Sequence, residues 1–551
     1  MPTRPWRSKS TSAALDTSSS EVPPRVPRRR RNLRAALESA FPSARFGDER
    51  TILAGAGQSA VGLVVAILAT FATQVLITRL QGPAAFAIVT MATQGALLLG
   101  YFSRFGMDMA AVRRVAIDLG QGERARVRAI VSRASLIAGA ASLLVAGVVF
   151  AFADLLAEAF AADRAADAAD AFRAAALGIP FAALVQVYLG GTRGLKIMRH
   201  TLYVFWIGQP LGWMILILLG WLIARSVGVT TLAYSVSWIL ATLAAAWLWR
   251  RETRGFGSQG PLPGEVGELI RYGAPRAPAA LFAQLLFWTD LFVLARYAST
   301  AETGVYAAAA RAAQVILLFT ISVALIFTPF VADLHARGER EKLDRLFKQL
   351  TRWTLAAALP IFLVLAVVPG PALRLFGSEF GAGRLALLIL LLGQLVNVAT
   401  GTVGFILVMV GRTGWDMVVY TVSVAFDVGA AVLLIAGLDL GMEGAAIAGA
   451  LTITLSKLAR LGLVWRFVGI QPYDRDYARL LLPALAGAAG GVAAHLALSS
   501  GPWQLDLVGS AVAALAGYVP VLLAVGLPGT ERRAALHLAA VALGRGGEAR
   551  G

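Results

Sequence analysis

What most constrains this chain is a succession of apolar stretches, each roughly twenty residues or longer, that recurs from position 55 almost to the C-terminus. A helix rises 1.5 Å per residue, so about twenty apolar residues cross a hydrocarbon core of roughly 30 Å. Fourteen stretches meet that description: 55–80, 86–110, 131–153, 174–192, 201–224, 229–249, 276–297, 303–328, 353–373, 385–411, 414–437, 443–467, 480–499 and 506–527. With 58% hydrophobic and only 15% charged residues, and a mean hydropathy of +0.69, too little polar surface remains to coat a water-soluble globule. The expected class is an all-α integral membrane protein of about 14 transmembrane helices.

A net charge of +18 would suggest nucleic acid in a soluble protein. In a membrane protein the question is where the basic residues fall. With the N-terminus placed in the cytoplasm, 41 of the 50 Lys and Arg residues fall in inner segments, seven fall in outer loops, and Arg104 and Arg311 lie within predicted helices. That asymmetry predicts an even number of crossings with both termini cytoplasmic. Asp154, Glu158, Asp163, Asp167 and Asp170 crowd the segment after the third stretch, on the expected outer side.

Residues 1–54 are rich in Ser, Pro and Arg, carry a run from Arg28 to Arg31, and contain no apolar segment that could serve as a cleaved signal. They read as a disordered basic cytoplasmic tail. Attraction to anionic membrane lipids, worth about 1 kcal/mol per basic residue, accounts for them better than nucleic acid does. The chain has no Cys, which excludes disulfides and thiolate metal sites. His200, His335, His495 and His537 never fall at metal-ligand spacing on one helix, so no metal is expected. No Gly-x-x-x-x-Gly-Lys-Ser/Thr loop is present, so no nucleotide cofactor is expected either. Any driving force is then an ion gradient, the membrane potential or consumption of product.

The first three stretches resemble the seventh to ninth. Thr78-Arg79-Leu80 matches Ala295-Arg296-Tyr297, each followed by a short polar turn and an aromatic residue, Phe86 or Tyr306. Gly120-Gln121-Gly122-Glu123-Arg124 matches Ala336-Arg337-Gly338-Glu339-Arg340, at a separation of 216 residues against 217 for the arginine pair. Both copies begin at an odd-numbered crossing, so the halves are expected to be parallel repeats around a central cavity. The resulting division is a tail (1–54), a six-helix bundle (55–250), a cytoplasmic linker (251–275), a second six-helix bundle (276–468), two additional transmembrane helices (469–527) and a cytoplasmic tail (528–551).

From Gly57 through Arg133 the Thr-Arg-Leu-x-Gly-Pro turn, the aromatic helix start, the Gly-Met-Asp-x-Ala segment and the Gly-x-Gly-Glu basic loop resemble oligosaccharide flippases. These are lipid-linked polysaccharide exporters of the multidrug/oligosaccharidyl-lipid/polysaccharide superfamily, and the resemblance covers about residues 55–470. It implies two pseudo-symmetric halves with a cationic cavity lined by helices 1, 2, 7 and 8. It also implies movement of an undecaprenyl-diphosphate-linked glycan between leaflets of a bacterial inner membrane, without enzymatic activity, beside polysaccharide polymerases and glycosyltransferases.

Ionisable side chains at membrane depth cost at least about 2.5–3.5 kcal/mol each, so the few present are candidates for function. Arg104 and Asp108 share a helix face, as do Arg311 and Gln314. With the resemblance, Arg311 and Arg104 are the best candidates for holding a diphosphate. Arg311 is the stronger, having no acid at i−4 or i+4, whereas Arg104 and Asp108 read equally well as a structural pair. Arg79 and Arg296 read as snorkelling helix ends or as guards of the outer mouth. Asp290 is expected to bind a coupling ion or to pair with one of the arginines, and Asp427 is expected to be structural. Asn397, Gln74 and Gln284 suit helix packing as well as sugar contacts. Besides a polysaccharide flippase, the sequence admits a lipid II flippase, a drug or cation antiporter, which would favour acidic groups, and a polytopic glycosyltransferase or polymerase, which would need a larger outer loop than 154–173.

Overall fold

The computed structural model describes residues 49–257, 264–274, 276–528 and 532. The expected tails and part of the linker fall outside these residues, except that the chain is already helical from Glu49, inside the segment read as tail. Every described regular element is helical. In chain order they are α1 (Glu49–Ser103), α2 (Met107–Gly120), α3 (Arg124–Ala151), α4 (Ala153–Phe160), α5 (Ala165–Ala176), α6 (Ile179–Gly194), α7 (Arg199–Gly220, with a π turn inside it) and α8 (Val227–Glu252). A short α9 (Glu265–Gly273) sits in the linker. It is followed by α10 (Arg276–Leu285), α11 (Thr289–Tyr297), α12 (Thr300–Gln314), α13 (Leu317–Ala336), α14 (Arg340–Val367), α15 (Pro369–Leu373), α16 (Arg384–Ala399), α17 (Val403–Met409), α18 (Thr413–Val432), α19 (Gly441–Val468), α20 (Leu481–Leu498) and α21 (Trp503–Val521).

Against the fourteen stretches of the sequence, eleven helices among the described residues are, unbroken, long and apolar enough to cross a membrane. The difference arises where stretches read as continuous are interrupted. The first two run together as α1, which kinks at Gly82 (φ 81°) directly before Pro83, whose ring removes a backbone donor. The stretch 276–297 divides into α10 and α11, and 303–328 divides between α12 and α13. Interruptions at 104–106 and 400–402 further divide 86–110 and 385–411. An average of side-chain hydropathy carries no term for these backbone departures.

The two matched loops adopt the same turn. Gly122 and Gly338 have φ of 80° and 71°, and Glu123 and Glu339 cap the following helices with ψ of 54° and 57°. In both, the helix that follows spans 28 residues, and the capping glutamate pairs with a cation three residues on, Arg126 or Lys342.

Long apolar side chains such as Leu222, Ile223, Leu143, Leu144 and Leu496 stand exposed on the perimeter, as lipid-facing residues do. Small residues fasten the last two helices: a Cβ on Gly490 would lie 2.7 Å from the Ala513 carbonyl oxygen, and one on Gly517 would lie 2.5 Å from that of Ala486. Tyr518 donates to the Ala356 carbonyl at 2.8 Å, tying this pair to α14.

Contacts define two faces. Arginines of α2 and α3 meet the linker on one face: Arg114 pairs with Glu268, and Arg126 and Arg133 with Glu265. On the opposite face, the turns at 80–85 and 298–303 meet the segments 152–164 and 374–380. There Asp163 accepts from the Thr300 amide and hydroxyl, and Phe86 lies 6.4 Å from Phe380.

Candidate functional site

The polar groups collect where helices break. Between α1 and α2, Phe105 and Gly106 take positive φ (52° and 67°), and a Cβ at Gly106 would stand 2.5 Å from the Gly273 carbonyl oxygen. Only glycine meets both conditions. The break gives α2 a fresh N-terminus with Asp108 in its first turn, where the helix dipole favours an anion. Arg104, within the break, lies 3.4 Å from Asp108 through Nε, and its guanidinium sits 4.4 Å from the Tyr101 ring centre.

Between α10 and α11 the same arrangement recurs, with Asp290 in the first turn of α11. One carboxylate oxygen accepts from the Leu291 amide at 2.8 Å and the other accepts from the Tyr306 hydroxyl. Among the described residues no arginine pairs with Asp290; its carboxylate is met by the Leu291 amide and the Tyr306 hydroxyl. Asp290 instead faces α19, where a Cβ on Gly449 would be 2.6 Å from its Oδ2, and lies within electrostatic reach of Asp427. Asp427 is 1% exposed and accepts from the Thr452 hydroxyl at 2.9 Å. Each carboxylate thus accepts from one hydroxyl, Tyr306 on Asp290 and Thr452 on Asp427.

Arg311 stands in the last turn of α12, one turn before the interruption at 315–316. Its guanidinium lies 4.2 Å from the centre of the Trp288 ring, a residue of the α10–α11 break. Its Nε is buried without an acceptor, and no carboxylate pairs with it among the described residues. Tyr234 of α8 lies within its electrostatic reach and donates to the Thr93 carbonyl at 3.3 Å. Gln314 is half-buried on the same turn. Asn397 is buried just before the 400–402 break and donates to Gln394 at 2.9 Å within its own helix.

The repeat-related arginines differ. Arg79 donates to the carbonyls of Leu375 at 2.8 Å and Arg374 at 2.7 Å and lies 5.6 Å from the Trp503 ring centre. Arg296 is exposed and rests on its neighbour Tyr297.

Arg193, in the last turn of α6, escaped the sequence reading because it ends an apolar stretch and reads as a loop cation. Small residues mark its position. Gly190 and Gly194 bring α6 onto α2 so closely that their Cβ atoms would meet the Asp108 carbonyl oxygen at 2.5 Å and Val115 at 2.7 Å. Trp288 and Thr452 also escaped notice, and Tyr306 was marked only as the aromatic residue of the repeat, since nothing in their spacing shows which charge they meet.

On the Arg-rich face a cleft of about 480 Å³ is lined by Arg114, Arg126, Glu265, Glu268 and Arg271. Its charges pair largely with one another. Beside it, burial pushes the Asp118 carboxyl above the usual carboxylate range.

Packed apolar helices interrupted at polar and charged residues define a polytopic membrane protein. The chain belongs to the polysaccharide biosynthesis protein family, whose profile matches residues 52–335; a MatE profile matches residues 275–433. It is 22% identical over 287 residues to the probable low-salt glycan biosynthesis flippase Agl15 of Haloferax volcanii. That alignment covers 52% of this chain and 57% of the relative, so the chain spans little more than half the length of the curated relative it matches. Its fold is similar to that of the lipid II flippase MurJ in an inward closed conformation, with a TM-score of 0.66, 16% identity, and coverage of 84% of this chain and 97% of that one. It is also similar to an inward-facing multidrug resistance MATE family transporter of the MOP superfamily, with a TM-score of 0.62, 14% identity, and coverage of 79% and 98%.

Proposed function

We propose that this protein is a flippase that moves an undecaprenyl-diphosphate-linked oligosaccharide from the cytoplasmic to the outer leaflet of a bacterial inner membrane. It works by alternating access and serves synthesis of an exopolysaccharide, capsule or O-antigen. The observation that carries this reading is Arg311: a guanidinium at membrane depth with no carboxylate partner, held on an aromatic face, with its remaining donors available to an anion. A diphosphate accepts from a planar guanidinium through two parallel hydrogen bonds, which suits this residue better than it suits a lysine. The curated relative is described as a glycan biosynthesis flippase, which supports the same substrate class. In this reading the Arg-rich face is cytoplasmic, the tails meet anionic lipid, Arg79 closes the outer side, and polymerases and glycosyltransferases act on either side of the step.

A cation-coupled reading of part of the molecule is favoured by Asp290 and Asp427, whose shared neighbourhood contains no basic side chain among the described residues. It is compatible with the flippase: the carboxylates take the coupling proton or cation while the arginines take the substrate.

The test is reconstitution in liposomes with fluorescent undecaprenyl-diphosphate-oligosaccharide, scored by an outer-leaflet glycosidase, alongside efflux of a cationic dye. Protein-dependent access to inner-leaflet lipid is expected. Dye efflux without lipid movement would assign the protein to the antiporters instead.

A further inference from the structure

The linker helix α9 is fastened to the first bundle along its whole length. Glu265, in its first turn, is 5% exposed and is shared by two arginines of α3, Arg126 at 3.4 Å and Arg133 at 3.3 Å. One turn on, Glu268 meets Arg114 of α2 at 3.3 Å. Leu269 is buried in one apolar cluster with Met107, Ala110 and Ile130, apart from the main core. At the far end, a Cβ on Gly273 would lie 2.4 Å from the Phe105 carbonyl oxygen, at the break between α1 and α2. Since α10 begins at Arg276, the helix that opens the second bundle starts out from the first. A second clasp follows from the repeat. α14, the counterpart of α3, holds the segment that leaves its own bundle: Arg340 donates to the Gly469 carbonyl at 2.6 Å, Asp344 accepts from the Gln471 amide at 3.3 Å, and Arg352 pairs with Asp474 at 3.0 Å. Tyr477 of that segment donates to the Ala399 carbonyl at 2.7 Å.

The two clasps differ in strength. The second enlists backbone groups and an arginine whose side chain is 5% exposed. The polar part of the first is side chain to side chain, and a cleft of about 480 Å³ lined by Arg114, Arg126, Glu265 and Glu268 runs beside its ion pairs. Ion pairs open to solvent are weak and are screened by salt. At nine residues, α9 is also shorter than the roughly 12–15 residues that an isolated helix needs, so its order depends on docking. Release strands no deeply buried cation. Arg114 keeps Asp118 at 3.2 Å and Arg126 keeps Glu123, both within the first bundle, while Arg133 is partly exposed and passes to water. We propose that α9 is a latch that joins the two bundles on the Arg-rich face and lets go in each transport cycle, while the clasp at 469–477 stays shut. This rests on the alternating-access reading and adds to it the contact that opens on this face. With α9 docked, Gly273 holds the start of α10 against the α1–α2 break; with α9 released, the linker no longer fastens one bundle to the other.

The experiment uses the full-length protein, which has no cysteine of its own, and two readouts. In liposomes, Arg133→Cys with Glu265→Cys and, separately, Arg352→Cys with Asp474→Cys are bridged by a short bifunctional thiol reagent, with each single cysteine as control. The first bridge is expected to stop lipid flipping, and the second to leave it within about twofold of the unbridged protein. In the purified protein, the thiol of Leu269→Cys is expected to react with a maleimide at least about threefold faster when salt is raised from about 0.05 to 0.5 M, because screening loosens the ion pairs that hold α9. Flipping at the wild-type rate with the 133–265 pair fully bridged overturns the latch, and so does equal arrest by both bridges, which would reflect general stiffening. Labelling of Leu269→Cys that ignores salt overturns it as well. If the unbridged protein moves no lipid, the flippase reading fails, and the labelling then decides the latch by itself.

Discussion

Arg311 and Asp290 show how far a residue type by itself goes and where it stops. Both were legible in the sequence as charges inside apolar stretches, because hydropathy makes such residues conspicuous. Their partners were not, because Trp288 reaches Arg311 across a helix break and Tyr306 reaches Asp290 from a different helix. The structure gives the two charges different chemistry: Arg311 has an aromatic face and free donors, and Asp290 has hydrogen-bond donors and a second carboxylate nearby. Arg311→Ala is expected to reduce lipid flipping at least tenfold at normal abundance, the scale of one charge-assisted hydrogen bond of about 1.5–3 kcal/mol. If Arg311→Lys restores flipping in full, the bidentate contact is wrong and positive potential alone suffices. Asp290→Asn and Asp427→Asn address the other chemistry. Each replaces one of two carboxylates within electrostatic reach of each other by a neutral amide, so each is expected to remove the dependence of transport on a proton or sodium gradient. A variant that keeps its full gradient dependence would exclude that carboxylate from coupling.

At the scale of elements, the all-helical membrane class was readable because a membrane demands a fixed length of apolar helix. The interruptions were not, although their chemistry lies in view: Gly82-Pro83, Phe105-Gly106, and Gly401 with its φ of 67°. A broken helix offers free backbone groups and a new dipole end inside the bilayer, so the breaks and the charges belong together. Packing at the breaks is equally specific. A Cβ on Gly304 would lie 1.9 Å from the Pro83 carbonyl oxygen, whereas one on Gly95 would meet only the Phe292 ring at 3.7 Å. Gly304→Val is therefore expected to destabilise the protein by several kcal/mol or to prevent folding, while Gly95→Ala stays within about 0.5 kcal/mol of the wild type. Thermal midpoints of the two purified variants check this, and equal values would mean that the α1 kink and α12 are not in the contact described.

At the scale of the whole molecule, the face opposite the Arg-rich loops is closed by groups from distant parts of the chain. Arg79 holds the carbonyls of Arg374 and Leu375, Phe71 meets Phe376 at 5.3 Å, Phe160 meets Phe292 at 6.0 Å, and Asp163 holds Thr300. If transport proceeds by alternating access, this seam must part in every cycle, and contacts between carbonyls and one guanidinium are of a strength that a cycle can break and remake. The chain contains no cysteine, so a thiol pair introduced across the seam is free of competing reactions. Asp163→Cys with Thr300→Cys, joined by a disulfide or a short bifunctional thiol reagent, is expected to stop lipid flipping, and cleavage of the bridge is expected to restore it. Each single cysteine under the same treatment controls for loss of the hydrogen bond, which leaves the seam able to open. Arg79→Ala is expected to act in the opposite sense, loosening the seam and raising the reactivity of a thiol at either position. Flipping that continues at the wild-type rate with the pair fully bridged would show that substrate passes without this face opening, and a rocking motion of the two halves would then have no part in transport.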